Sequence, residues 1–188
     1  MKSADSNYQI LSQLSYNVIA KMRTFVDRNN ERFFPDYELS QLSEIEITFL
    51  TRNSISRHGL TTNFDKSKKI SSSNCIVKLN RNLFEKKYLP YAEFVLFHEY
   101  IHCLGNFSHD KNFRQLENLW PNIGEMNTFG RQLTRELQET KSQWAWTCSK
   151  CRFIVKRSSR KFRSNYYHKE CLGKLENIPI NRPTSLEH

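Results

Sequence analysis

The chain has 188 residues, 38% of them hydrophobic and 13% aromatic, and a formal net charge of +10. That length bounds it to one compact domain with its own core plus a small appendage, and argues against two full domains. No stretch reaches the roughly 18 consecutive apolar residues of a membrane span and no long apolar run follows Lys2, so an intracellular setting is expected, cytoplasm with nucleoid or nucleus, with no membrane and no secretion.

Residues 8–26 place Leu11, Leu14, Val18, Met22 and Phe25 at three- and four-residue spacing, the pattern of an amphipathic helix, with Asp5 or Ser6 as its cap. Residues 44–50 alternate Ile45, Ile47 and Phe49 with polar neighbours, as a strand buried on one face does. Two further strands are expected at 57–64 and at Cys75–Leu79, and together the three suggest a small antiparallel sheet. Helical sequence returns at 91–104, with Pro90 suited to its start and Gly105 to the left-handed residue after its end. Helices at 110–119 and 125–140 follow, separated by Pro121 and Gly124.

The charge is local. Residues 1–140 hold 18 basic against 16 acidic residues, whereas residues 141–174 hold ten basic residues against Glu170 alone. With three of the five cysteines in the same segment, this jump sets a boundary near Lys141: a main domain at 1–140, a small metal-ligating domain at 141–178 and a tail at 179–188. Leu186, Glu187 and His188 look like the stump of an expression tag.

Within HEYIH, His98 and His102 project from one face of a helix, about 6 Å apart along its axis, a spacing one zinc ion can bridge with Zn–N bonds of about 2.0 Å. Glu99 sits on the flank of that face, placed to touch a water on the metal, take its proton and return it to a leaving amine. The apolar residues before the motif, Phe94 to Phe97, pack this helix into the domain, where polar side chains without a task would be costly. Gly105 lets the chain reverse and brings His109 back as third ligand. In HExxHxxGxxH the last histidine would fall at Ser108, and Asp110, Glu117 and Glu125 are rivals, but a neutral imidazole suits zinc and leaves Asp110 to cap the next helix.

HEYIH followed by HDKNF, with Phe113 four residues after His109, and the preceding CIVKLNRNLF, resemble the SprT-like (Spartan-type) zinc metalloproteases, over about residues 39–174. The resemblance implies a zincin-like α+β metalloprotease domain. It also implies cleavage of DNA-associated proteins, including covalent DNA–protein crosslinks.

Cys148, Cys151, His168 and Cys171 form CxxC and HxxC corners that close a tetrahedron around a second, structural zinc, matching the zinc ribbon that ends many SprT-like chains. Cys75 and Cys103 lie at no ligand spacing and read as core residues. Between and beside the corners, Lys150, Arg152, Lys156, Arg157, Arg160, Lys161 and Arg163 are interleaved with aromatics and follow Trp144 and Trp146. Cations neutralise phosphates and aromatic faces stack on bases, so DNA, single-stranded or at junctions, is the expected partner besides DNA-bound protein substrates. The expectation is therefore a monomeric zinc endopeptidase with two Zn2+ ions and Glu99 as general base. The alternative is a non-catalytic zinc-containing module that binds nucleic acid or serves transcription.

Overall fold

The computed structural model describes residues 2–52, 54–65, 68, 71, 73–158 and 166–180, with backbone only for 2–7. The chain divides into two compact units, Met1–Arg131 and Gln132–His188. The first holds α1 (Lys2–Met22), α2 (Asp36–Ser43), β1 (Glu46–Phe49), β2 (Gly59–Asn63), β3 (Cys75–Leu79), two single-turn 3-10 segments, α3 (Leu89–Cys103) and α4 (Lys111–Glu117). Helix α5 (Ile123–Lys141) runs across the division, and the second unit adds β4 (Trp144–Cys148), β5 (Ile154–Arg157) and β6 (Leu175–Pro179). The architecture is mixed α+β with two small sheets.

The first sheet has the order β1-β3-β2. It is not wholly antiparallel: β3 pairs antiparallel with β2, Thr61 opposite Val77, but parallel with β1, Ile47 opposite Val77. Alternation along a strand reports which face is buried and nothing about direction. Here the chain leaves β1, passes over β3 to form β2, and turns back into the centre, so β1 and β3 run the same way. Cys75, Val77 and Leu79 supply the buried face of the central strand.

Helix α3 is buried on nearly every side, including Leu96, Phe97 and Ile101. Each such side chain contributes about 1.5–3 kcal/mol of transfer free energy, so burial anchors the helix that carries the motif in its unit. Phe97 stacks on Trp120 at 5.0 Å and meets Phe25 edge-on at 5.7 Å and Phe34 at 6.1 Å. Helix α1 packs against α3 through Leu11, Leu14, Val18 and Met22, with Ser15 Oγ 2.7 Å from the Tyr100 hydroxyl.

Helix α1 starts ahead of Asp5 and Ser6, which therefore lie inside it rather than capping it, and it ends at Met22. Beyond Met22 the backbone bends into an isolated bridge between Val26 and Arg32, closed by Asp27 Oδ1 accepting from Asn29 N and Glu31 N. Among the described residues no helix is long and apolar enough to cross a membrane.

Candidate metal centres

Helix α3 ends in a motif that also builds the first site. Leu104 caps the helix, Gly105 takes φ 96°, and the backbone N–H groups of Gly105 and Asn106 donate to the carbonyls of His102 (3.0 Å) and Ile101 (3.3 Å). These are the two bonds of a Schellman termination, which needs a residue free to adopt positive φ. The turn leaves the Asn106 carbonyl 2.6 Å from His102 Nδ1, so that nitrogen donates and Nε2 keeps its lone pair.

His98 reaches the same state differently. Its Nδ1 donates to Glu117 Oε1 at 2.7 Å, and Glu117, 6% exposed, is held by Arg114 through its other oxygen. Burial pushes Glu117 up, yet the bonds to His98 and Arg114 outweigh it and leave its carboxyl below the ordinary value, an anion facing His98. His98 Nε2 then points at His109 Nε2, 3.0 Å away.

The three imidazoles form a nearly equilateral triangle, with ring centroids 5.0, 4.9 and 4.9 Å apart. The fully buried Phe113 ring lies 4.7 to 4.8 Å from each of them and forms a floor under all three. One ring nitrogen of each histidine lies within 4.8 Å of the others. The separation of two nitrogens on one tetrahedral zinc is about 3.3 Å, so the donor set fits such an ion. His102 and His109 titrate below the ordinary histidine value, through burial first and then the neighbouring imidazoles, which keeps them in the neutral, ligating form.

The rival ligands have other partners. Asp110 caps α4, its Oδ1 accepting from Phe113 N at 3.0 Å while its Oδ2 accepts from Ser108 Oγ at 2.8 Å. Glu117 orients His98, and Glu125 lies outside the cluster, in the first turn of α5.

Glu99 is 6% exposed. Its Oε2 accepts from Thr61 Oγ1 at 2.7 Å. A Cβ on Gly59 would collide with Oε1 and come within 2.8 Å of Val95 Cγ1, so only glycine lets β2 approach α3 this closely. Desolvation raises the Glu99 carboxyl above its ordinary value, against smaller pulls from His98 and Thr61. Thr61, Glu117 and Asn106 carry no spacing signal of their own, unlike Phe113, which stands four residues after His109. They are brought in by tertiary structure, although an acidic residue two turns after a metal-ligating segment is the kind of partner such histidines need.

The second cluster is built on the sheet β5-β4-β6. Cys148 Sγ and Cys171 Sγ lie 3.3 Å apart, Cys171 and Cys151 3.4 Å, and His168 Nδ1 lies 3.2 and 3.3 Å from Cys151 and Cys171. These sulfur separations are far beyond the roughly 2.05 Å of a disulfide, and four donors facing one point suit a closed structural zinc. Each corner turns through a left-handed residue just after its second ligand, Arg152 at φ 59° and Leu172 at φ 53°. A Cβ on Gly173 would strike Cys148 Sγ. The Phe153 ring stacks on His168, 4.4 Å apart and 14° from parallel. Burial pushes the Cys148 thiol up, but the backbone N–H groups of Cys151 and Lys150 and the neighbouring thiols draw it down to about 7.

Lys150, Arg152, Lys156 and Arg157 are exposed, as are Lys169 and Lys174. Arg160, Lys161 and Arg163 lie outside the described residues. Trp146 corrects the expectation of a base-stacking ring: it is 7% exposed, stacked on Tyr166 at 4.9 Å, covered by the Arg157 guanidinium at 4.8 Å, and its Nε1 donates to Asn177 Oδ1 at 2.7 Å. A small sheet needs a core, and this indole supplies it. Trp144 is half-buried, and among the described residues of the unit the exposed aromatics are Phe153, Tyr166 and Tyr167. Cys75 and Cys103 are both buried in the core.

Comparison with family models, with curated proteins and with solved structures returns no match for this chain. The likeness to the SprT-like family rests on the motifs themselves.

Proposed function

We propose that the chain is a zinc-dependent endopeptidase of zincin-like architecture that acts on DNA-associated proteins, including DNA–protein crosslinks. The observation that carries the reading is the buried Glu99 carboxylate, fixed by Thr61 beside a triangle of imidazoles whose free nitrogens converge.

His98, His102 and His109 would hold the ion. Zinc, when bound, supplies the Lewis acidity that brings a water's pKa toward about 7. The chain's own residues do the rest. Glu99 Oε2 is occupied by Thr61, so Oε1 is the oxygen that accepts the water's proton and passes it to the departing amine nitrogen as the peptide C–N bond breaks. Its raised proton affinity suits a base that must also serve as an acid. Phe113 fixes the rings from below, and Glu117 and Asn106 fix their tautomers.

A peptide substrate is favoured by the sheet order. β2 is an edge strand, and its residues Gly59, Leu60 and Thr61 line the cleft that contains the imidazoles. An extended backbone can add to such an edge, which a small molecule would not exploit. The exposed cations of the second unit supply sequence-independent attraction for phosphates.

The test is zinc-loaded chain against Glu99→Gln on an unfolded protein, with and without single-stranded DNA. The expected outcome is cleavage lost in Glu99→Gln with zinc content and DNA binding retained, and DNA binding that weakens steeply with salt. Unchanged behaviour of Glu99→Gln in every assay would favour the non-catalytic alternative.

A further inference from the structure

We propose that the outer edge of β1 is a docking site for an extended segment of another protein, one in which apolar residues alternate with lysine or arginine, taken up as an added strand. The proposal goes beyond the endopeptidase reading and does not depend on it.

β1 lies at one edge of its sheet, with β3 between it and β2. Leu50 N donates to the Leu79 carbonyl, so by the alternation of a strand Glu46 and Thr48 also turn their backbone groups toward β3. Ile47 and Phe49 turn theirs outward. Such an edge is a template for a further strand. Beside it lies a hollow of about 710 Å³, walled on the other side by α1. Tyr8, Ser12, Tyr16 and Ile19, three and four residues apart, turn one face of the helix to this space. Tyr8 is 75% and Tyr16 68% exposed, so the helix borders the space without filling it.

The two faces of β1 set the sequence of a strand that joins it. Ile47 pairs with Val77 and shares its face, on which Ile45 is buried and α3 packs. Helix α1 packs on α3 in the same layer. On that face an added strand meets Ile47 and the Tyr8 and Tyr16 rings, and apolar side chains suit it. The opposite face carries Glu44 and Glu46, both exposed at the rim of the hollow, and among the described residues neither has a cationic partner. Arg23 also borders the hollow, just past the end of α1, where the two carboxylates outnumber it. Opposite charges across a strand pair attract and like charges repel, so lysine or arginine at every second position answers Glu44 and Glu46.

The same rule disfavours a second copy of β1, which would bring its own Glu44 and Glu46 to the acidic face. A main-chain ladder gives affinity in this mode and the alternate side chains give selectivity. Because β3 separates β1 from β2, a segment docked here stays outside the imidazole cleft.

The experiment uses the zinc-loaded full chain and blocked, fluorescently labelled seven-residue peptides, read by fluorescence anisotropy. The probes are alternating valine and lysine, alternating valine and glutamate, and the lysine peptide N-methylated at every second residue in either phase. The valine–lysine peptide is expected to bind about tenfold more tightly than the valine–glutamate peptide, the effect of reversing two cross-strand charge pairs. N-methylation in the phase that faces β1 should abolish binding, and in the other phase should leave it. The double variant Glu44→Lys, Glu46→Lys should reverse the preference with circular dichroism and zinc content unchanged. Equal binding of the two peptides, insensitivity to both methylation phases, or a preference that survives the double substitution overturns the proposal. So does a chain that sediments as a dimer and takes up no peptide, which would give the edge to a second copy.

Discussion

Glu117 Oε1 lies 2.7 Å from His98 Nδ1, and the carboxylate making that bond is almost wholly buried. A buried anion there both fixes the tautomer of His98 and raises its basicity as a ligand. Glu117→Gln keeps the shape and removes the charge. Zinc affinity at the histidine site should fall about 10- to 100-fold, read by chelator competition, while the Cys3His site keeps its ion. Unaltered affinity would mean that Glu117 serves packing alone.

Gly59→Ala tests how tightly β2 and α3 are fitted. The added methyl meets Glu99 Oε1 and Val95 Cγ1, and either strand or carboxylate must move. Overpacking of this kind costs about 1–3 kcal/mol. Stability should drop by that amount in denaturant titration, and cleavage should be lost far more completely than zinc binding, because a displaced Glu99 no longer lies where its proton transfer is needed.

Acid should weaken the fold from the histidine side. His102 and His109 bind protons less readily when folded than the ordinary value of 6.5, burial being the leading cause. The unfolded chain therefore takes up protons first as pH falls below that value. Their contribution is present above it and is lost as pH falls through the lower folded-state values. Zinc binding, which also requires neutral rings, moves the same way. Melting temperatures with and without chelator should be level above neutrality and decline below about 6.5, and a rise on acidification would contradict the assigned surroundings of both rings.

Leu172 occupies a left-handed conformation at φ 53° with its side chain mostly in solvent. A left-handed residue other than glycine costs about 1–2 kcal/mol, and little packing would be lost on trimming it. Leu172→Gly should stabilise the second unit by up to about 1 kcal/mol after the greater freedom of glycine in the unfolded chain is counted. Measured unfolding of zinc-loaded variants checks this, and clear destabilisation would mean that the side chain has a contact partner.

Elements with a period or a fixed spacing were legible from sequence. The helix carrying HEYIH begins within two residues of its expected start because apolar content, Pro90 and Gly105 agree. Helix α2 was not foreseen, since its eight residues offer only Leu39 and Leu42 to a core, although Pro35 and Asp36 mark its start. The parallel pairing of β1 with β3 depends on the route of the chain, which no local pattern encodes. The same holds for the site. His98, His102 and His109 stand out by spacing, whereas Thr61 reaches Glu99 from a strand 38 positions away, and Trp146 looked free because burial in a small sheet leaves no periodic trace.

From His102 to the residue after His109 the backbone is fastened at Gly105, Asn106 and Asp110, and each fastening also aims a ring or its neighbour. The segment thus works as a spacer of fixed count. Adding or deleting one residue in it would rotate the third imidazole out of the triangle even with every ligand still encoded.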